Sequence, residues 1–459
     1  MRTNPTLCFL IFLLPFLAQA QGPEVTSWLI NTTGLTASHY ASGNPTVIVD
    51  PDSANVQRVY YSTNWVYVYT KGLPAYPTGP FLDGNPSLAT NQNAIFKISR
   101  SPVQNTGTST ATSGGNIGIF VNGVALFDYR DGVAWNPTTN ALCGGPGNPP
   151  CPGGMGATMD WNRDAIRAER GGFDCSKGHP AMGNYHHHQN PSAFNLDLTV
   201  ISTICNLYDA DGLYTIDSTQ HSPLIGYAYD GFPIYGAYGY QGSNGTGPIV
   251  RIRSGYRLRN MTVRNTSPTG TSVTSGPNVS AQYPLGYFRE DYEYIAPQAG
   301  QTDILDIHNG RFCVTPEYPN GTYAYFCTVD SNWNSAYPYV VGPTFYGTRT
   351  ASKVTSITEP VIQFIPTSTA IGEESGEQAT VNVFPNPGSD FIAVQLNGIV
   401  REDVPMEIFD MQGKRVGFSV IKQGSTISYF DVSTLYAGSY LLKIRRGADT
   451  ETRRVEVVR

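Results

Sequence analysis

The chain has 459 residues, a formal net charge of −6, 40% hydrophobic residues and only 14% charged ones, against about 25% charged in an average globular protein. That length suits two or three domains, the apolar content excludes wholesale disorder, and 29 Lys and Arg spread thinly exclude the clustered basic face that a nucleic-acid partner requires. The 48 Gly, 33 Pro and 29 Tyr predict short strands joined by turns, not helical bundles.

Residues 1–20 carry Arg2, an apolar run from Leu7 to Leu17 and then Ala18-Gln19-Ala20, the pattern of a signal peptide cut before Gln21. Pro15 interrupts the run, and it is shorter than the roughly 20 residues that span a bilayer. No later stretch is long enough either, so an exported mature chain without a transmembrane segment is expected. Loss of Cys8 with the leader leaves Cys143, Cys151, Cys175, Cys205, Cys313 and Cys327. In an oxidising compartment these read as disulfides, and six cysteines permit about 15 pairings. Nearness along the chain favours Cys143 with Cys151, Cys175 with Cys205, and Cys313 with Cys327. The close two-to-four-residue spacing of a zinc knuckle is absent.

Strand signals recur at Val59–Tyr69, Ala94–Ile98, Ile117–Phe120, Leu198–Ile204 and Tyr323–Val329. Met159–Arg170 is the one segment with a helical look. Thr262–Ser280, rich in Thr, Ser and Gly, reads as a long mobile excursion. From Ala379 to Arg459 there are 19 charged residues in 81, against 44 in the 358 from Gln21 to Gln378. That shift marks a boundary, and the polar stretch before it reads as a linker. The expected organisation is a signal peptide (1–20), a large β-rich domain (21–355), a linker (356–378) and a small C-terminal domain (379–459), all-β throughout.

Four of the seven histidines lie between residues 179 and 188. If Tyr185–Gln189 is extended, alternation sends His186 and His188 to one face and His187 to the other. Two imidazoles side by side suit a transition metal. His179, across a short Pro/Gly turn, is placed to fold back as a third ligand, and His221 is a candidate fourth from another loop. Imidazoles without thiolates favour zinc or copper; Met182 would favour copper if its sulfur reached the ion, and Asp230 is available should the metal be iron. His39 and His308 are read as structural. Asp209-Ala210-Asp211-Gly212 with Asp217 lacks the remaining ligands of a calcium loop, and Ser222 lacks a nucleophile elbow.

Two resemblances add to this reading. In the tail, Val383-Phe384-Pro385-Asn386-Pro387, Asp410 to Val416 (DMQGKRV) and Leu435 to Tyr440 (LYAGSY) fall in order among seven or so short alternating strands. This stretch resembles the type IX secretion system (Por) C-terminal sorting domain of Bacteroidetes-type bacteria, an immunoglobulin-like β-sandwich. The resemblance implies passage through the type IX machinery, removal of the sorting domain, and release or attachment to surface lipopolysaccharide. Upstream, Gly178-His179-Pro180, Tyr185-His186-His187-His188, His221 to Gly236 (HSPLIGYAYDGFPIYG), Gly118 to Val124, Leu305 to Phe312 and Thr315 to Tyr325 resemble the bacterial YHYH domain family over most of residues 50–347. That family's naming motif has tyrosine where His187 stands, which leaves the His186/His188 pair intact. The resemblance implies a secreted domain and supplies no reaction.

Two function classes follow: an exported protein that holds a metal through His179, His186, His188 and His221, or a cell-surface polysaccharide-binding module in which the 29 tyrosines with Trp65, Trp135, Trp161 and Trp333 form stacking platforms and the histidines are structural.

Overall fold

A computed structural model describes residues 21–82, 88–145, 147–152, 159–199, 203–206, 208, 212–366, 381–396, 400, 402–411, 413–423, 425–446 and 449–459. The leader 1–20, residues 367–378 of the linker, and Asp209, Ala210 and Asp211 of the acidic loop lie outside them. The chain divides into two compact units, 1–366 and 367–459, and both are built of strands, as an all-β chain.

The first unit is organised by an eight-stranded mixed sheet. Its order runs Gly178–Ala181, Asn184–His187, Ala125–Phe127, Asn116–Phe120, Leu224–Ala228, Pro233–Tyr235, Thr322–Phe326, Gly310–Cys313. Asn184–His187 lies parallel to Ala125–Phe127, and Pro233–Tyr235 parallel to Thr322–Phe326; the other pairs are antiparallel. The central strands are apolar on both faces, as the continuous run Leu224–Ala228 shows: every residue is buried. Val59, Val66, Val68, Phe96 and Ile98 pack into the same core from a five-stranded antiparallel sheet, Ser352–Val354, Ala94–Ser99, Trp65–Thr70, Val56–Tyr61, Ile362–Phe364.

Several expectations are corrected. Val59–Tyr69 is not one strand but a hairpin, because Ser62 turns the chain by accepting the Trp65 backbone N–H on its hydroxyl at 3.2 Å. Ile362–Phe364, assigned to the linker, instead pairs with Val59–Tyr61 and completes the five-stranded sheet. Met159–Arg170 begins as a strand, Asn162–Asp164, and turns helical only at Ala165–Glu169, where the Asp164 carboxylate caps the Ile166 N–H at 2.9 Å. Within Leu198–Ile204 no strand appears among the described residues; Thr203–Asn206 forms a 3₁₀ turn that carries Cys205 to Cys175.

Thr262–Ser280 is pinned, not mobile. Arg264, fully buried, forks onto both carboxylate oxygens of buried Asp291 at 2.7 and 2.8 Å and donates to the carbonyls of Pro277, Tyr283 and Pro284. Trp161 donates its indole N–H to the Thr274 carbonyl at 2.8 Å, and its ring lies over Gly276, where a Cβ would come within 2.9 Å.

Disulfides join Cys143 to Cys151 and Cys175 to Cys205, whereas Cys313 and Cys327 are buried free thiols. The reason is register. Cys313 sits opposite Thr322 and Gly310 opposite Tyr325, so Cys327 lies five residues farther along, about 16 Å away at about 3.3 Å per residue. A disulfide needs Cα atoms within about 7 Å.

The second unit is a sandwich of a three-stranded sheet (Val381–Phe384, Phe391–Leu396, Ile427–Asp431) and a four-stranded one (Arg415–Ile421, Val404–Phe409, Gly438–Arg446, Asp449–Val457). Alternate residues Ile392, Val394 and Leu396 meet Met406, Ile408, Leu442 and Ile444 in its core.

Two outcomes check these features. A chain beginning at Gln21 should present no thiol to a thiol reagent when native and two per chain when unfolded; complete blockage after unfolding would mean that Cys313 and Cys327 are bonded. Asp291→Ala should leave the Arg264 charge unpaired in the interior and lower stability by about 3–5 kcal/mol in urea unfolding, with new proteolytic cuts between residues 262 and 280.

Candidate metal centre

The site begins with a turn. Met182 and Gly183 both have positive φ, +50° and +81°, as the central pair of a type I′ hairpin turn demands. That turn sets the register of Gly178–Ala181 against Asn184–His187, with His179 directly opposite His186. Residues paired in this way share a face, and His188, two residues on, joins them. Close approach is needed at Gly178, where a Cβ would come 2.4 Å from the Tyr185 hydroxyl. Asp174 holds that hydroxyl at 2.8 Å.

Three Nε2 atoms converge. His188 Nε2 lies 3.3 Å from His179 Nε2 and 3.1 Å from His186 Nε2. Glu169, the last residue of the short helix, brings Oε2 to 3.3 Å from both His179 Nε2 and His188 Nε2. The histidines are buried, with His186 at 1% and His188 at 4% exposure. Phe127 stacks on the His186 ring at 3.8 Å, and Phe173 meets His179 edge-on at 4.8 Å. His186 Nδ1 donates to the Asn184 carbonyl at 2.8 Å and His188 Nδ1 to the Asp128 carbonyl at 2.6 Å. Since a carbonyl only accepts, the N–H of each ring sits on Nδ1 and Nε2 carries a lone pair.

Electrostatics sharpen the picture. Burial, then the neighbouring His188 and His179, hold His186 well below its ordinary pKa. Burial also pushes His188 down, but Glu169 and the Asp128 carbonyl outweigh it and the net shift is upward. Burial raises Glu169, yet the adjacent imidazoles of His179 and His188 outweigh that and hold it well below the carboxylate range. One proton satisfies one of these contacts and leaves the other lone pairs facing each other. A cation satisfies all of them. Glu169 Oε2 is indeed a buried oxygen with no hydrogen-bond partner among the described residues.

The other histidines and candidates lie elsewhere. His187 points to the opposite face, where its Nε2 meets the Tyr76 hydroxyl at 2.7 Å and its ring packs on Phe120 and Tyr185. The expected fourth ligand, His221, is not in the cluster. Its ring packs against Tyr235, Tyr240 and Phe326, and Nδ1 is bound to its neighbour's carbonyl at 2.8 Å. Met182, at the hairpin tip, is 96% exposed, so its sulfur faces solvent. Asp230 is buried and taken up by the Tyr325 hydroxyl and the Gly347 N–H. Ser222 accepts the Tyr238 N–H on its hydroxyl, and Asp217 caps Thr219. His39 pairs with Asp50 at 2.9 Å and His308 with the Thr344 hydroxyl at 2.6 Å. The carboxylate that does reach the cluster, Glu169, went unnoticed in the sequence. The only trace of it there is that the one helical segment is the segment just upstream of the histidines.

The family model described as "YHYH protein" matches residues 95–338, more than half of the chain and the whole of this site. This chain is a YHYH protein. The YHYH region is followed by a match over residues 382–458 to the model described as "Secretion system C-terminal sorting domain". The YHYH protein is thus a type IX secretion substrate, destined for the extracellular or cell-surface space. No helix among the described residues is long and apolar enough to cross a membrane. No curated protein matches. Among solved structures, the dimeric latent PorU of Porphyromonas gingivalis is similar over 25% of this chain and 11% of its own, at 14% identity and a TM-score of 0.16. The YHYH chain thus spans about a tenth of that protein's length, and a likeness so slight carries no argument.

The buried face and the exposed tip of the hairpin predict different responses. His187→Ala should open a cavity beneath Phe120 and Tyr185 and lower stability by about 2–5 kcal/mol, read from the urea midpoint. Met182→Ala should leave that midpoint within about 0.5 kcal/mol.

Proposed function

We propose that this YHYH protein is an exported metal-binding protein whose ion is held by His179, His186, His188 and Glu169. One observation carries the reading. Four of the six separations among these donors are 3.3, 3.1, 3.3 and 3.3 Å, against edges of about 3.3 Å in a tetrahedron with bonds of about 2.0–2.1 Å, and the three histidine nitrogens all lie within 4.8 Å of one another. Three imidazoles and a carboxylate, with no sulfur in the cluster among the described residues, fit zinc ahead of copper. The Nδ1 hydrogen bonds of His186 and His188 supply the orientation that metal-bound imidazoles use.

A bound zinc ion polarises a carbonyl group or acidifies a water. Glu169, with 26% of its side chain exposed against 4% for His188, would hold the ion from the solvent side, where an outside ligand would approach. Cleavage of the signal peptide before Gln21, and attachment to surface lipopolysaccharide once the sorting domain is removed, complete the proposal.

Metal analysis of the full chain, purified without a histidine tag, tests it. About one zinc per chain is expected, absent from a His186→Ala/His188→Ala double variant whose fold is intact by circular dichroism. Glu169→Gln should weaken zinc binding about 10- to 100-fold, and His221→Ala should leave it unchanged. Metal-free protein after zinc incubation, or full zinc in the double variant, sinks the reading.

A further inference from the structure

The eight-stranded sheet has a second edge, remote in strand order from the histidines. There the strand Gly310–Cys313 closes the sheet. Its Phe312 lies directly opposite buried Tyr323, yet is 63% exposed. The ring has a fixed seat: the chain turns at Gly321 with φ +85°, and a Cβ there would come within 2.8 Å of it.

Phe312 borders a cavity of about 380 Å³ whose lining includes Phe232, Tyr346, Arg100, Glu24 and Gln104. Tyr346 stacks on Tyr323 with ring centres 3.5 Å apart, and Phe232 meets both rings edge-on at 5.5 and 5.4 Å. Arg100 is held by the Glu24 carboxylate at 3.0 Å, the Ser62 carbonyl at 2.8 Å and the Gln21 amide oxygen at 2.9 Å. The cavity therefore offers stiff aromatic faces beside a fixed donor and a fixed acceptor.

We infer that this cavity binds a saccharide, with the apolar C–H face of a sugar ring laid on Phe312 and its hydroxyls directed to Arg100, Glu24 and Gln104. At about 30 Å³ per water the space holds roughly a dozen waters, enough for roughly one or two sugar units. The balanced charge pair selects among ligands. An anion meets Glu24, a cation meets Arg100, and a purely apolar molecule removes this ion pair from water with no new partner for it, whereas a neutral polyhydroxylated ligand can donate to Glu24 and accept from Arg100 together. Delivery to the cell-surface space puts the chain where polysaccharide is at hand. This site is separate from the metal centre and does not rest on it.

Affinity electrophoresis of the full chain in gels containing soluble starch, xylan, mannan or laminarin tests the inference. At least one of these should retard the protein. Phe312→Ala should weaken that retardation at least tenfold with an unchanged thermal midpoint. Gln104→Ala should weaken it at least threefold, and chelator treatment should leave it unchanged. Phe418→Ala, an equally exposed ring in the sorting domain, serves as the control. The inference is overturned if none of the four polysaccharides retards the chain, if Phe312→Ala binds like the parent, or if Phe418→Ala removes the binding instead.

Discussion

The pairing of His179 with His186 across the Met182-Gly183 turn is the constraint from which the metal centre follows, because it decides which imidazoles look at one another. A slip of one residue would exchange the faces, sending His187 inward and His186 with His188 away. The two positive φ angles of the turn, and the unobstructed Cα of Gly178 beneath Tyr185, guard against that slip. The parallel neighbour Ala125–Phe127 then does two things at once. It stacks Phe127 on His186, and it brings the Asp128 carbonyl to His188 Nδ1.

Such a cluster is expensive to bury in the absence of an ion. Ring nitrogens of three histidines, two of them with lone pairs fixed on Nε2, and a carboxylate oxygen are removed from water and directed at each other. The aromatic walls of Phe127 and Phe173 deepen that penalty by excluding solvent, and for the same reason they strengthen any cation placed at the centre. Geometry and desolvation therefore support the same proposal, a cation at the centre of the cluster.

The same sheet carries the candidate metal centre at one edge and the proposed saccharide cavity at the other. Its middle strands are buried on both faces and act only as a rigid spacer. One edge ends in the histidine hairpin and the other in the exposed ring of Phe312. Edge strands usually need protection from further pairing; here the first edge is a hairpin of four residues per strand, and the second is likewise only four residues long.

Much of this could be read from the residues alone. Period-two alternation separated His187 from His186 and His188, since a strand allows no other arrangement, and composition with tail motifs marked the all-β class and the sorting domain. Two of the three neighbouring cysteine pairs also follow from nearness along the chain. Other features depend on registers that spacing does not encode: the five-residue offset that keeps Cys313 from Cys327, the placing of His221 among Tyr235, Tyr240 and Phe326, and the burial of Arg264 that fastens a polar segment. Glu169 is the clearest case. Ten residues before His179 and on a different element, it reaches the cluster only because a one-turn helix, packed against Arg130–Asn136 and Asn162–Asp164, ends beside the histidines in three dimensions, and no local pattern records where such a helix end will point.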